Sequence, residues 1–138
     1  MSEKITQAYV KENYLVESNI EGFNYTMDYT ERYPDRISQG TSPTGLLIVS
    51  LLGCHLMTAV SYLNMKNIAF DILKGEVEAD FIDEKSSWKL DAKVTLITDA
   101  KLSEDAINGL TRFIHRHCKV SSMLSHGNDI SLEYSFIK

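Results

Sequence analysis

The chain has 138 residues, 43% hydrophobic and 24% charged, with 14 Lys and Arg against 19 Asp and Glu for a formal charge of −5. That length suits a single compact domain, residues 1–138, able to bury roughly two thirds of its unfolded surface without disulfide staples. An acidic balance with no basic cluster argues against a protein that grips a phosphate backbone, so no nucleic-acid partner is expected.

Two cysteines, Cys54 and Cys118, cannot build a disulfide-rich secreted scaffold. The N-terminal Met-Ser-Glu-Lys-Ile-Thr-Gln has no apolar h-region, so no signal peptide is expected. The longest apolar run, Leu46 to Val60, is interrupted by Ser50, Cys54, His55 and Thr58 and is shorter than the roughly 20 residues a bilayer demands. The expectation is a soluble cytoplasmic protein with no membrane partner and two reduced or transiently oxidised thiols.

The first thirty residues read as strands. Tyr14 and Val16 alternate with polar residues before a turn at Ser18–Gly22, and Phe23, Tyr25, Met27 and Tyr29 alternate beyond it. The aromatic residues there are expected to form cross-strand pairs on one face of a small sheet. Glu31 to Gly40 is polar, carries Pro34 and reads as a loop. Ser42 then caps, and Pro43 opens, a helix running from about Pro43 to Met65. That helix is apolar around most of its circumference and needs wrapping on several sides, which a chain this short supplies poorly. The mismatch points to a second subunit.

Two strands follow, about Ile72–Ile82 and Trp88–Thr98, joined by a hairpin at Asp83–Ser87. Ser103 caps a second helix with Glu104 and Asp105 in its first turn and Ile107, Leu110, Ile114 and Cys118 on one stripe. A break near Lys119, a helical turn at Ser121–Ser125 and a closing strand through Ile130, Leu132, Tyr134 and Phe136 complete the order. The fold class is α+β, with antiparallel strands around a central apolar helix.

A buried cysteine usually behaves as a small hydrophobe. Cys54 meets a further obstacle, because apolar surroundings raise a thiol's pKa and only the thiolate is a nucleophile. It lies 11 residues past Pro43, roughly 16 Å along the axis, beyond reach of its own helix N-terminus. A cation must therefore come from elsewhere. Arg32 and Arg36 precede the helix, and Arg112, Arg116 and Lys119 lie on or after the second one. His55, His115, His117 and His126 could join the cysteines in a metal site. The cysteines are single and 64 residues apart, however, so neither metal nor cofactor is expected. Gly40–Gly45 lacks the lysine of a phosphate loop and is read as a cap.

Ser42-Pro-Thr-Gly-Leu-Leu-Ile-Val-Ser-Leu-Leu-Gly-Cys54, Leu102-Ser-Glu104 and His117-Cys-Lys-Val-Ser-Ser-Met-Leu124 together resemble the OsmC/Ohr family of osmotically induced and organic hydroperoxide resistance proteins. The resemblance implies an OsmC-like intertwined homodimer whose sheets enclose paired central helices. It also implies a peroxidase in which Cys54 attacks a peroxide substrate and Cys118 resolves the sulfenic acid. An external dithiol then reduces the disulfide. In the family an arginine, held by a glutamate just after the helix-starting proline, stabilises the thiolate. Arg32 is the counterpart expected here, with Arg36 the alternative. Thr44 stands where the glutamate is expected, and Lys119 follows Cys118 where the family has proline. The alternative reading is a dimer of the same fold that binds an apolar ligand beside a weakly reactive thiol, without turnover.

Overall fold

A computed structural model describes residues 6–32 and 35–125 of the chain. Contacts group the chain into one unit ending at Ser50 and a second beginning at Leu51.

In the first unit, β1 (Thr6–Glu12), β2 (Leu15–Ile20) and β3 (Phe23–Met27) form an antiparallel meander in the order β1-β2-β3. The β2–β3 turn is tighter than expected from the Ser18–Gly22 reading. β2 continues to Ile20, and only Glu21 (φ 55°) and Gly22 (φ 83°) turn the chain. Two successive positive φ angles match the twist of a two-residue hairpin, which is why glycine is at home there. Tyr14 falls in the β1–β2 turn, beside Asn13 at φ 48°. Among the described residues the expected aromatic pairs do not form. Tyr9 stands opposite Glu17, and Tyr25 opposite Ser18. The alternation of strand side chains then puts Tyr9 on one face, while Phe23, Tyr25 and Met27 share the other with Val10, Val16 and Ile20.

The following polar segment is a structured clamp rather than a plain loop. After a 3-10 turn at Thr30–Arg32, the Arg36 guanidinium grips the buried Asp28 carboxylate through both oxygens, with Nη1 donating to Oδ2 at 2.8 Å and Nη2 to Oδ1. The Gln39 and Tyr29 amides donate to the same carboxylate at 3.1 and 2.8 Å. Asp28 answers by donating its own amide to Thr41 O at 3.0 Å. The helix α1 (Pro43–Met65) starts where the Ser42–Pro43 signal puts it, with Gly45 N–H donating to Ser42 Oγ at 3.2 Å.

In the second unit, β4 (Leu73–Glu84) and β5 (Ser87–Thr98) make an antiparallel hairpin. Both strands extend further than expected, and Lys85–Ser86 is the whole turn, with Lys85 at φ 53°. Val77, Ala79 and Phe81 face Val94, Ala92 and Leu90 across the pair, while Glu76, Glu78 and Asp80 line the other side. A Cβ on Gly75 would come within 2.8 Å of Leu52 Cδ1 and 2.9 Å of Thr95 O, so the bare backbone there lets α1 lie close on the hairpin. Helix α2 (Glu104–His117) is capped by Ser103, whose Oγ accepts from Ala106 N–H at 3.1 Å. The break comes one residue earlier than expected, at Cys118, and α3 (Lys119–Ser125) follows at once. The proposed closing strand, Ile130 to Phe136, and His126 lie outside the described residues.

The core of this unit is Ala59, Tyr62 and Leu63 of α1 packed on Leu110, Ile114 and Cys118. Elsewhere α1 is poorly covered, with Val49 63% and Met57 75% exposed. At 23 residues and a mean hydropathy of 1.9, α1 is long and apolar enough to span a bilayer. The length ground for excluding a membrane span therefore fails, because Ser, Thr and His inside the run do not shorten the helix. What favours a core helix is its packing: Ala59 and Leu63 are fully buried against α2.

Candidate active site

The site is assembled where α1 meets the α2–α3 break. Cys54 sits half-buried in mid α1, and Cys118 is completely buried between the other two helices. Cys118 has extended backbone angles, φ −71° and ψ 105°. Its N–H still donates to Ile114 O at 2.9 Å, closing α2, while its carbonyl accepts from Ser122 N–H at 3.0 Å, opening α3. The first amides of a helix have no partner within it. Here they face sulfur, with Lys119 and Val120 N–H directed at Cys54, and Val120 and Ser121 N–H at Cys118.

The two thiols are driven apart in acidity. Burial pushes Cys54 up, but the Val120 amide, the Cys118 thiol, the Lys119 amide and the Thr58 hydroxyl together hold it below its ordinary value. Burial also pushes Cys118 up, and there the neighbouring Cys54 adds to the rise rather than opposing it. Two like charges in contact are unfavourable, so ionising one sulfur opposes ionising the other. Cys54 is the more acidic of the two and Cys118 the less acidic. Both are free thiols, in hydrogen-bonding and not bonding range.

His55 completes the arrangement. Its Nδ1 lies 3.2 Å from Leu51 O and 3.4 Å from Cys118 Sγ. A carbonyl can only accept, so Nδ1 carries the proton and also faces the Cys118 sulfur as a donor. Burial is the main cause that holds the His55 pKa below its usual value, which keeps the ring neutral near pH 7. Beside His55 and Ser121 opens a largely apolar groove of about 960 Å³, walled by Leu51, Trp88, Leu110 and Ile114.

The family model described as OsmC-like protein matches residues 36–133. The chain belongs to the OsmC-like family. Its fold is similar to that of an OsmC-like protein from Mycoplasma pneumoniae, at 19% identity, TM-score 0.77, and coverage of 90% of this chain and 88% of that one. An organic hydroperoxide resistance protein OsmC from Legionella pneumophila aligns at 18% identity and TM-score 0.67, covering 88% of each chain. An OsmC-like hydroperoxide resistance protein from Jannaschia aligns at 14% identity and TM-score 0.59, covering 96% of this chain and 91% of that one. No curated protein matches the sequence.

Within this OsmC-like protein the expected thiol partners are brought together, but the principal groups holding Cys54 down are hydrogen-bond donors rather than cations. Arg32 is exposed in the first unit, its guanidinium carbon 5.9 Å and 5.3 Å from the Tyr14 and Tyr29 ring centroids. Arg36 is committed to Asp28. Lys119 does act on Cys54, through its backbone amide. Because a proline at this position would have no N–H, the departure from the family's Cys-Pro adds a donor. Sequence reasoning weighed His55 only as a metal ligand and passed over Thr58. The spacing of four from Cys54 to Thr58 was a usable signal, since such residues share a helix face. The amides of α3 leave no trace in side-chain chemistry.

Proposed function

We propose that this OsmC-like protein is a thiol-dependent peroxidase reducing organic or hydrogen peroxides, working as a cytoplasmic homodimer with an external dithiol as reductant. The observation that carries this is the Cys118 thiol beside a Cys54 sulfur whose pKa the Val120 and Lys119 amides help to lower. The Cys54 thiolate attacks the distal peroxide oxygen and the O–O bond breaks, leaving a sulfenic acid and an alkoxide (or hydroxide). The Cys118 proton goes to that leaving oxygen and completes the alcohol or water. The Cys118 thiolate, facing the His55 Nδ1–H, attacks the sulfenic sulfur and expels hydroxide, which takes a proton from solvent to become water. The external dithiol then restores both thiols by exchange. Arg32 is assigned to stabilising the thiolate in the assembled dimer. The dimer is supported by the exposed apolar residues of α1 and by Phe23 and Val10, 64% and 65% exposed on one face of the meander.

The test is peroxide consumption with cumene hydroperoxide and dithiothreitol, with products followed by mass spectrometry. One equivalent of peroxide forms a Cys54–Cys118 disulfide in the native protein. Cys118→Ser stops at a dimedone-trappable sulfenic acid, Cys54→Ser consumes nothing, and Arg32→Gln slows the first step. Equal consumption by Cys54→Ser would overturn the proposal. The groove beside His55 and the Thr44 substitution favour the second reading, a ligand-binding dimer. That reading requires unreactive thiols together with a thermal shift on adding an apolar ligand.

A further inference from the structure

A second pocket, of about 730 Å³, opens between the C-terminal half of α1 and the outer side of α2. Its character differs from that of the groove beside His55. Arg112, Arg116 and Lys66 line it in a chain whose net charge is −5. Arg112 and Arg116 are four apart on one helix, a like-charged spacing that costs stability unless something offsets it. Neither forms a salt bridge among the described residues, and Asp105 is the single acid on the rim.

The floor supplies a second, independent observation. Tyr62 is 6% exposed, yet its hydroxyl has no hydrogen-bond partner among the described residues. The hydroxyl keeps access to solvent, so it stands open to the pocket as a donor for a ligand. The hydroxyl reaches this position because residue 109 is glycine: a Cβ there would overlap it. The Tyr62 ring packs on Phe113 at 5.5 Å between centroids, and Lys66 Nζ stands 6.0 Å from the Tyr62 centroid. A hydroxyl donor, two guanidinium forks and an ammonium thus border one cavity whose walls are aromatic.

We infer that this pocket binds a small organic oxyanion, a carboxylate or phosphate carried on an apolar or planar body. The oxygens accept from the Tyr62 hydroxyl and from the forked donors of Arg112 and Arg116, a geometry that suits either group. The body lies along Phe113 and Ile68. This site is distinct from the thiol pair, and its occupancy does not depend on the peroxidase reading.

Calorimetric titration of the full chain with 3-phenylpropionate, phenyl phosphate, inorganic phosphate and the neutral 3-phenylpropanamide tests the inference. An aryl oxyanion binds, the amide does not, and rising salt weakens the complex. The stronger of phenylpropionate and phenyl phosphate identifies the preferred head group. Arg112→Gln, an exposed change that leaves the core intact, weakens binding by about tenfold, the loss of one charge-assisted pair. Tyr62→Phe keeps the ring against Phe113 and also weakens it. Cys54→Ser leaves it unchanged. Binding of the amide as tight as that of the acid, an Arg112→Gln variant with native affinity, or silence from all four probes would overturn the inference.

Discussion

Replacing Cys118 by alanine removes the S–H that donates to Cys54 while leaving the α3 amides in place. A hydrogen bond to a charged group contributes about 1.5–3 kcal/mol, and the low end applies because Cys54 is half-buried. One pKa unit corresponds to about 1.4 kcal/mol, so the Cys54 pKa should rise by about one unit. Lost donation favours the neutral form, which sets the upward sign. At a pH below both values the thiolate fraction, and with it the rate of reaction with iodoacetamide, then falls about tenfold. The assay is alkylation of the native protein against pH, with Cys54 read by mass spectrometry. Cys118→Ser supplies the control, because its hydroxyl can still donate and the curve should stay near that of the native protein. If Cys118→Ala leaves the midpoint in place or lowers it, Cys118 does not hold the Cys54 charge. The division of labour between the two sulfurs would then be wrong.

Leu63→Ala should lower stability by about 2–5 kcal/mol in chemical denaturation, since Leu63 is fully buried and its loss leaves a cavity under Leu110 and Ile114. Asp28, whose carboxyl is held down first by the Arg36 hydrogen bond, contributes stability that is present above its unfolded pKa of about 4 and lost as pH falls through the lower folded value. Urea unfolding of Asp28→Asn across that range should show a shallower acid loss than the native chain. The His55 pKa is depressed mainly by burial, so its contribution is present above about pH 6.5 and lost as acid charges the ring. His55→Gln should flatten the thermal midpoint between neutral pH and about pH 5, and a slope identical to the native one would refute that assignment.

Side-chain patterning carried much of this fold. Ser42–Pro43 and Ser103 placed both helix starts, because capping is a local event between a side-chain oxygen and an amide two or three residues on. Period-two alternation located β4 and β5, although it could not show that two residues suffice for their turn. The tyrosine-rich segment misled for a related reason. Alternation sets which residues share a face of one strand, but cross-strand register depends on turn length, and Tyr9 ended opposite Glu17. The family resemblance pointed to Cys54 and Cys118, which the structure sets near each other but not within bonding distance. What lowers the Cys54 pKa was not legible, because a cation was expected among the side chains while two of the donors are the backbone amides of Lys119 and Val120.

Main-chain N–H groups belong to every residue but proline, so positions 119 and 120 can drift through lysine, serine or valine and still lower the Cys54 pKa. A thiol whose acidity is set in this way is buffered against mutation of its immediate neighbours. Its weak point is geometric: whatever extends one of the flanking helices through Cys118 would turn those donors back into ordinary helical bonds.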